Sequence, residues 1–277
     1  MEGQSAEVIA TASFCCSMVR HFKLKAVSLL RGHDKRAVGL VHIKTTTYKS
    51  SVQMIKGKPF INFLRKLRTL VPMEVEVKLR LKDSTAHQKL SNILSPYHKQ
   101  TLFQENIFFD DKDSKLSSNA AVLRLRFYNL NSHCILSLKA KPTISDGISR
   151  VQELEEPVPL ATATESVAKP QLLGQIDSKI MKMVKQEYGV GDEFVCLGGF
   201  KNVRAVYEWK GLKLELDETT YGFGTSYEIE CESLEPERDR KLIEGLLEEN
   251  GIEYDFSDFS KFAVFRSGKL PGWVKNL

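Results

Sequence analysis

Many of the patterns by which a chain advertises its chemistry are missing here. No run of eighteen apolar residues occurs, so no segment is long and apolar enough to cross a membrane as a helix. There is no Walker-type glycine-rich phosphate loop and no Gly-x-Ser-x-Gly nucleophile elbow. The six histidines lack clustered ligand spacing, which argues against a zinc site. Cysteine is scarce and odd in number: Cys15, Cys16, Cys134, Cys196 and Cys231. The adjacent pair Cys15-Cys16 cannot supply a Cys-x-x-Cys site, and a reduced intracellular protein is the expectation. Acid is scarce only at the start. Residues 1–72 hold 13 Lys and Arg against Glu2, Glu7 and Asp34, a net of +10. The whole-chain charge of +5 therefore leaves 27 basic and 32 acidic residues after position 72, a net of −5. The basic balance belongs to the first quarter and says little about the ligand of the rest.

That first quarter is rich in Ser, Thr, Lys and Arg and lacks clear periodicity until its end. There Phe60, Phe63, Leu64, Leu67 and Leu70 fall at helical spacing around Arg65, Lys66 and Arg68. A basic amphipathic helix over 60–70 could contact a membrane surface or an import machinery. Alternatively, residues 1–72 are a poorly ordered extension, or the natural start is Met73. The expected location is the cytoplasm, or a chloroplast or mitochondrion if the extension is a transit peptide.

From Met73 onward the dominant signal is alternation. In Glu74-Val-Glu-Val-Lys-Leu-Arg80 a strand sets Glu74, Glu76, Lys78 and Arg80 on one face and Val75, Val77 and Leu79 on the other. The same reading puts Arg124 with Arg126, Lys139 with Lys141, and Glu153 with Glu155. Lys213, Glu215 and Asp217 share a face, as do Glu228, Glu230 and Glu232. Further strands are expected at 102–109, which carries Gln104 and Asn106, and at 194–200 and 203–210. Helices are expected at 84–95, 175–187, 235–249 and 258–266, and 157–174 reads as a loop.

One apolar and one charged face could describe an ordinary open sheet with its charged side in water. Against that, these rows are nearly all ionic, and their signs sort by strand. Closing the sheet with the apolar face outward, beneath helices, yields a water-filled barrel lined by ions. Such a lining requires a ligand of complementary charge. Arg and Lys suit phosphate oxygens, whereas Glu and Asp suit a hard divalent cation that also takes phosphate oxygens. Together they describe a metal–polyphosphate site, and phosphoryl transfer is driven mainly by positioning and charge neutralisation.

The residues that carry this reading also resemble a known family. Glu74-Val-Glu76-Val-Lys78 is similar to the ExExK signature of the triphosphate tunnel metalloenzymes, the adenylate cyclase–thiamine triphosphatase or CYTH superfamily. Val122-Leu-Arg-Leu-Arg126, Ser137-Leu-Lys-Ala-Lys141, Asp217 in Leu-Asp-Glu-Thr, Tyr227-Glu-Ile-Glu230 and Lys261-Phe-Ala-Val-Phe-Arg266 follow in the family's order. The resemblance is to the plant inorganic tripolyphosphatase type. It implies an α+β fold: an eight-stranded antiparallel barrel tunnel over 73–271 with helices outside, followed by a short tail at 272–277. It further implies that Lys78, Arg80, Arg124, Arg126, Lys139, Lys141, Arg204 and Lys261 hold the phosphates. Glu74, Glu76, Glu228 and Glu230 would hold Mg²⁺ or Mn²⁺, with Glu153, Glu155 and Asp217 assisting Glu76 in catalysis. Arg204 and Lys261 rest on the resemblance alone, and Glu215 and Glu232 are read as rim residues. The substrate would be inorganic tripolyphosphate. Adenylate cyclisation and hydrolysis of thiamine, nucleoside or RNA 5′-triphosphates stay open, as does a non-catalytic polyphosphate- or nucleic-acid-binding module. No nucleic acid is expected at the catalytic domain, and a monomer is favoured.

Overall fold

A computed structural model describes residues 72–273 and, ahead of them, the backbone of three short strands. These are β1 (Val8–Ala10), β2 (Leu24–Ser28) and β3 (Gly39–Ile43), an antiparallel sheet in the order β1-β2-β3. They belong to a compact unit, Met1–Leu70, separate from a second unit, Val71–Leu277. The helix expected at 60–70 and the order of the basic extension lie outside the described residues.

In the second unit the alternating segments are strands: β4 (Met73–Leu81), β5 (His98–Asp111), β6 (Ala121–Tyr128), β7 (His133–Ser145), β8 (Ile148–Val158), β9 (Phe194–Trp209), β10 (Leu212–Tyr221) and β11 (Gly224–Glu232). All pair antiparallel, and β11 pairs with β4 to close an eight-stranded barrel. A three-residue strand, β12 (Tyr254–Phe256), takes the edge of β4 at Leu79–Leu81, beyond the point where β8 leaves it.

The apolar rows face outward, as the alternation requires, and each side of the wall has its own helices. Leu123, Leu125, Leu136 and Leu138 pack under α3 (Leu160–Ala168) and α4 (Lys179–Tyr188) through Ala163, Ile180 and Val184. Val77, Leu79, Leu214, Leu216 and Ile229 pack under α1 (Ser84–Leu94) and α5 (Pro236–Glu249) through Leu90, Leu94, Ile243 and Leu247. Burying one such side chain is worth about 1.5–3 kcal/mol, so the hydrophobic core lies outside the barrel and the interior is free to be polar. Asp83 and Ser178 cap α1 and α4 by accepting from Ala86 N and Met181 N. A short turn of helix, α2 (Lys115–Ser118), joins β5 to β6.

Two expectations need correction. Residues 157–174 are not a loop: α3 fills Leu160–Ala168, and a 3₁₀ turn follows at Pro170–Gln175. Pro159 and Pro170 mark the ends of this helix rather than precluding it, and its small residues let Ala163 reach the wall. The separate strands expected at 194–200 and 203–210 are one strand that bends at a bulge near Gly198 and Gly199. A Cβ on Gly199 would fall 1.7 Å from the Asn106 carbonyl oxygen, so glycine there permits the close approach of β5 and β9.

Candidate active site

The inward rows of the eight strands enclose a cavity of ≈ 320 Å³ lined by seven basic and seven acidic side chains. Glu74, Glu76, Lys78, Arg124, Arg126, Lys139, Glu153, Glu155, Arg204, Glu230 and Lys261, all expected site residues, reach it. Lys261 is the first residue of α6 (Lys261–Ser267). Val264 of this helix, with Phe262 and Phe265, joins a third apolar cluster against Phe108, Phe200 and Tyr221. Ser260 caps it by accepting from Ala263 N. This anchoring makes Lys261 an interior residue rather than a surface charge.

Around Lys261 the charges interlock. Its ammonium pairs with Asp217 (2.9 Å), Glu228 (2.7 Å) and Glu230. Arg204 donates from Nε to Asp217 Oδ1 (2.8 Å) and from one terminal nitrogen to Asp217 Oδ2 and Glu230, each at 2.6 Å, and also pairs with Glu215. Lys78 pairs with Glu230 and, at 3.3 Å, with Glu76. Burial alone would neutralise these groups, but mutual attraction wins. Burial raises the Glu230 carboxyl, yet Lys261, Lys78 and Arg204 hold it well below the usual range. Asp217 is likewise held low, against burial, by Arg204 and Lys261. Lys78 and Lys261 are pushed above the usual lysine value despite burial, Lys78 chiefly by Glu230 and Lys261 chiefly by Asp217.

Lys78 owes its position partly to the β7–β8 turn. Asp146 (φ 51°) and Gly147 (φ 68°) form a two-residue hairpin of left-handed residues, and the Gly147 carbonyl accepts from Lys78 N at 2.7 Å. A Cβ on Gly147 would meet Phe256 at 2.9 Å.

Across the cavity the balance is different. Arg124 lies within 3.4 Å of Glu153 and 3.5 Å of Glu155, long contacts for charged partners, and its Nε donates to Ser137 Oγ at 3.0 Å. Burial, then the like charge of Arg126, pull its guanidinium down to about 10, with Glu153 and Glu155 only partly offsetting them. It remains charged at neutral pH, but without full compensation. Arg126 bonds to neutral groups, Asn106 Oδ1 (2.9 Å) and the Tyr128 hydroxyl (3.3 Å), with its guanidinium 6.0 Å from the Tyr128 ring centroid. Lys139 bridges Glu74 (2.6 Å) and Glu153 (3.0 Å). The Glu74 carboxyl still sits above its usual range, first because of burial and then because of Glu153 beside it.

The remaining expected residues stand elsewhere. Asp217, expected to assist catalysis, is fully buried against Arg204 and Lys261 and outside the cavity lining. Arg80 and Glu228 line a second cavity, which also includes residues of α6. There Arg80 pairs with Asp255 (3.1 Å), donates to the Gly272 carbonyl and lies over the Trp273 ring, while Glu228 accepts from Ser257 Oγ. Lys141, expected beside Lys139, is exposed and outside the lining. A bulge between Ala140 and Thr143 inserts one residue, with Lys141 at φ 52°, and turns Pro142 and Ile144 inward instead. Glu215 and Glu232, read as rim residues, both line the cavity.

Part of the wall is neutral. Gln104, Asn106 and Asn202 are buried and line the cavity. Asn202 donates to Gln104 Oε1 (3.0 Å), and Thr219 donates to Asn202 Oδ1 (2.8 Å). Their available signal was strand parity with Arg204 and Phe108.

Among the described residues no three His, Cys, Asp or Glu side chains are grouped to hold a metal by themselves. The donor set nonetheless fits a hard cation: Glu74, Glu76 and Glu153 offer carboxylate oxygens beside the phosphate-type basic row. The raised Glu74 carboxyl marks a place where further positive charge would be favourable. Mg²⁺ characteristically takes one or two carboxylates and completes its shell with water and substrate oxygens.

The model of the CYTH domain matches residues 72–263. A solved adenylyl cyclase-like protein from Hippeastrum, described as having a dominant triphosphatase activity, is 55% identical, covering 72% of this chain and 97% of that one with a TM-score of 0.70. A solved protein from Bacillus halodurans, named for adenylate cyclase, shares 18% identity over 70% of this chain and 98% of its own, with a TM-score of 0.56, and supports the fold alone. No curated protein matches. With a closed eight-stranded barrel, an ion-lined interior and a family match over more than half its length, the chain belongs to the CYTH family of triphosphate tunnel enzymes, of the plant type.

Proposed function

We propose that this protein hydrolyses inorganic tripolyphosphate to pyrophosphate and orthophosphate in a reaction that requires Mg²⁺ or Mn²⁺. The observation that carries the reading is the under-compensated pair Arg124 and Arg126 in a cavity whose opposite wall is already neutralised. An entering polyanion supplies the charge this pair lacks and takes Arg124 away from Glu153 and Glu155. With Lys139 drawn to phosphate, Glu74 and Glu153 are released beside Glu76. These three carboxylates are the ligands we assign to the cation. Glu228 and Glu230 instead hold Lys261 and Lys78 in place, and Asp217 positions Arg204 and Lys261.

When bound, the cation supplies charge neutralisation on the phosphates and Lewis acidity. The chain's own groups do the rest. Lys78, Arg124, Arg126 and Lys139 align the phosphate oxygens. Glu155, freed from Arg124, accepts a proton from a water whose oxygen bonds to the terminal phosphorus. The bridging P–O bond breaks toward pyrophosphate, and the basic row stabilises the negative charge that collects there.

The 55%-identical Hippeastrum protein, with its dominant triphosphatase activity, supports this class of reaction. Purified protein offered tripolyphosphate, ATP and thiamine triphosphate side by side, with Mg²⁺, Mn²⁺ or EDTA, tests it. Phosphate release that is fastest from tripolyphosphate and abolished by EDTA is expected. Cyclic AMP from ATP, or faster turnover of an organic triphosphate, would overturn the assignment.

A further inference from the structure

Asn106 is the neutral side chain most tightly committed to the under-compensated wall. It is 1% exposed, lies on β5 directly opposite Arg126 on β6, and lines the cavity. Its orientation follows from chemistry. A guanidinium only donates, so the Asn106 atom 2.9 Å from Arg126 Nε must be the carbonyl oxygen, which forces the amide nitrogen to the other side. That nitrogen is buried and has no hydrogen-bond partner among the described residues. Its neighbours differ: Thr219, Asn202 and Gln104 form a chain in which each link has a donor and an acceptor. Leaving a buried amide donor unmet is unfavourable, and native structures rarely do so without a ligand or water to meet it. The backbone that carries Asn106 is also set, because Gly199 lets β9 approach its carbonyl to a distance no other residue allows.

We propose that Asn106 is a substrate-binding residue: Oδ1 holds the Arg126 guanidinium while Nδ2 donates to an oxygen of the polyanion lying alongside it. The inference rests on the polyphosphate reading of this cavity. It adds to the basic row a neutral donor that discriminates an oxygen acceptor from a cation. An amide suits this position because it accepts from Arg126 and donates to phosphate at once, which neither a carboxylate nor an ammonium can do.

The test is calorimetric titration of sodium tripolyphosphate into the full chain in EDTA, for wild type, Asn106→Ala, Arg126→Ala and the double variant. Asn106→Ala is expected to bind about tenfold more weakly, the loss typical of one hydrogen bond to a charged group. It is also expected to weaken the Arg126→Ala protein by about threefold or more, because direct donation does not require Arg126. Wild type that fails to bind tripolyphosphate would sink the polyphosphate reading itself. If wild type binds and Asn106→Ala matches it, only this proposal falls. No further loss in the Arg126→Ala background would reduce Asn106 to an anchor for Arg126 and overturn the direct contact. Should Asn106→Ala not fold, the isosteric Asn106→Asp carries the test: it retains an acceptor for Arg126, and unchanged affinity would overturn the proposal.

Discussion

The two walls of the barrel hold similar residues in opposite states. Around Lys261 every charge is satisfied: Asp217, Glu228 and Glu230 meet Lys78, Arg204 and Lys261 at short range, and the pairing overrides burial on both sides. Around Arg124 the guanidinium pair is only loosely matched, and burial is not overcome. The first arrangement holds the barrel together from within, whereas the second stores an unmet demand for negative charge. A buried ion pair gives little net stability compared with apolar packing, but breaking one is costly. A poorly compensated charge contributes even less, so its persistence points to a ligand.

Breaking the satisfied wall should have the largest effect. Glu230→Gln leaves Lys78, Lys261 and Arg204 short of a carboxylate, and should cost about 3–5 kcal/mol in urea unfolding. Arg126→Ala, on the open wall, should change stability far less, because relief of its repulsion with Arg124 offsets the lost bond to Asn106, yet weaken tripolyphosphate binding by about 2–3 kcal/mol. An unfolding curve for each variant makes the contrast directly.

Acid should act on the satisfied wall first. Asp217 and Glu230 have folded values below their ordinary 3.8 and 4.5, so their stabilisation is present above those values and lost as pH falls through and below them. Glu74, held above its ordinary value, has the opposite sign and gives slight relief as it protonates. Lys78 and Lys261, raised above 10.5, keep their contribution until pH climbs past that value. The contribution of Asp217, Glu230, Lys78 and Lys261 should therefore be flat from about pH 5 to pH 10 and fall steeply below about pH 4. Glu230→Gln should show a shallower acid limb in a pH series of unfolding midpoints.

Much of this architecture was legible from period-two alternation. Glu74 to Arg80, Arg124 with Arg126, and Glu153 with Glu155 share a face because a regular strand leaves a side chain no other choice. The reading failed where regularity fails. One inserted residue at Ala140–Thr143 turned Lys141 out, which no count of alternate positions could foresee. Asp217 has the right parity, but it sits behind two cations because the register sets it directly opposite Arg204. Lys261 lies on a helix, where period two is silent, and only the cluster of Phe262, Val264 and Phe265 brings it inside. Asn106 carries no charge, and its one hydrogen bond made and one left open follow from tertiary contacts that strand parity does not encode.

The central claim is that the Arg124–Arg126 wall is built for a polyanion, and tripolyphosphate titrated calorimetrically into wild type and Arg126→Ala in EDTA tests it most directly. Binding at one site per chain, weakened at least about tenfold by the substitution while the unfolding midpoint holds, is the predicted result. Equal affinity in the two proteins would contradict it.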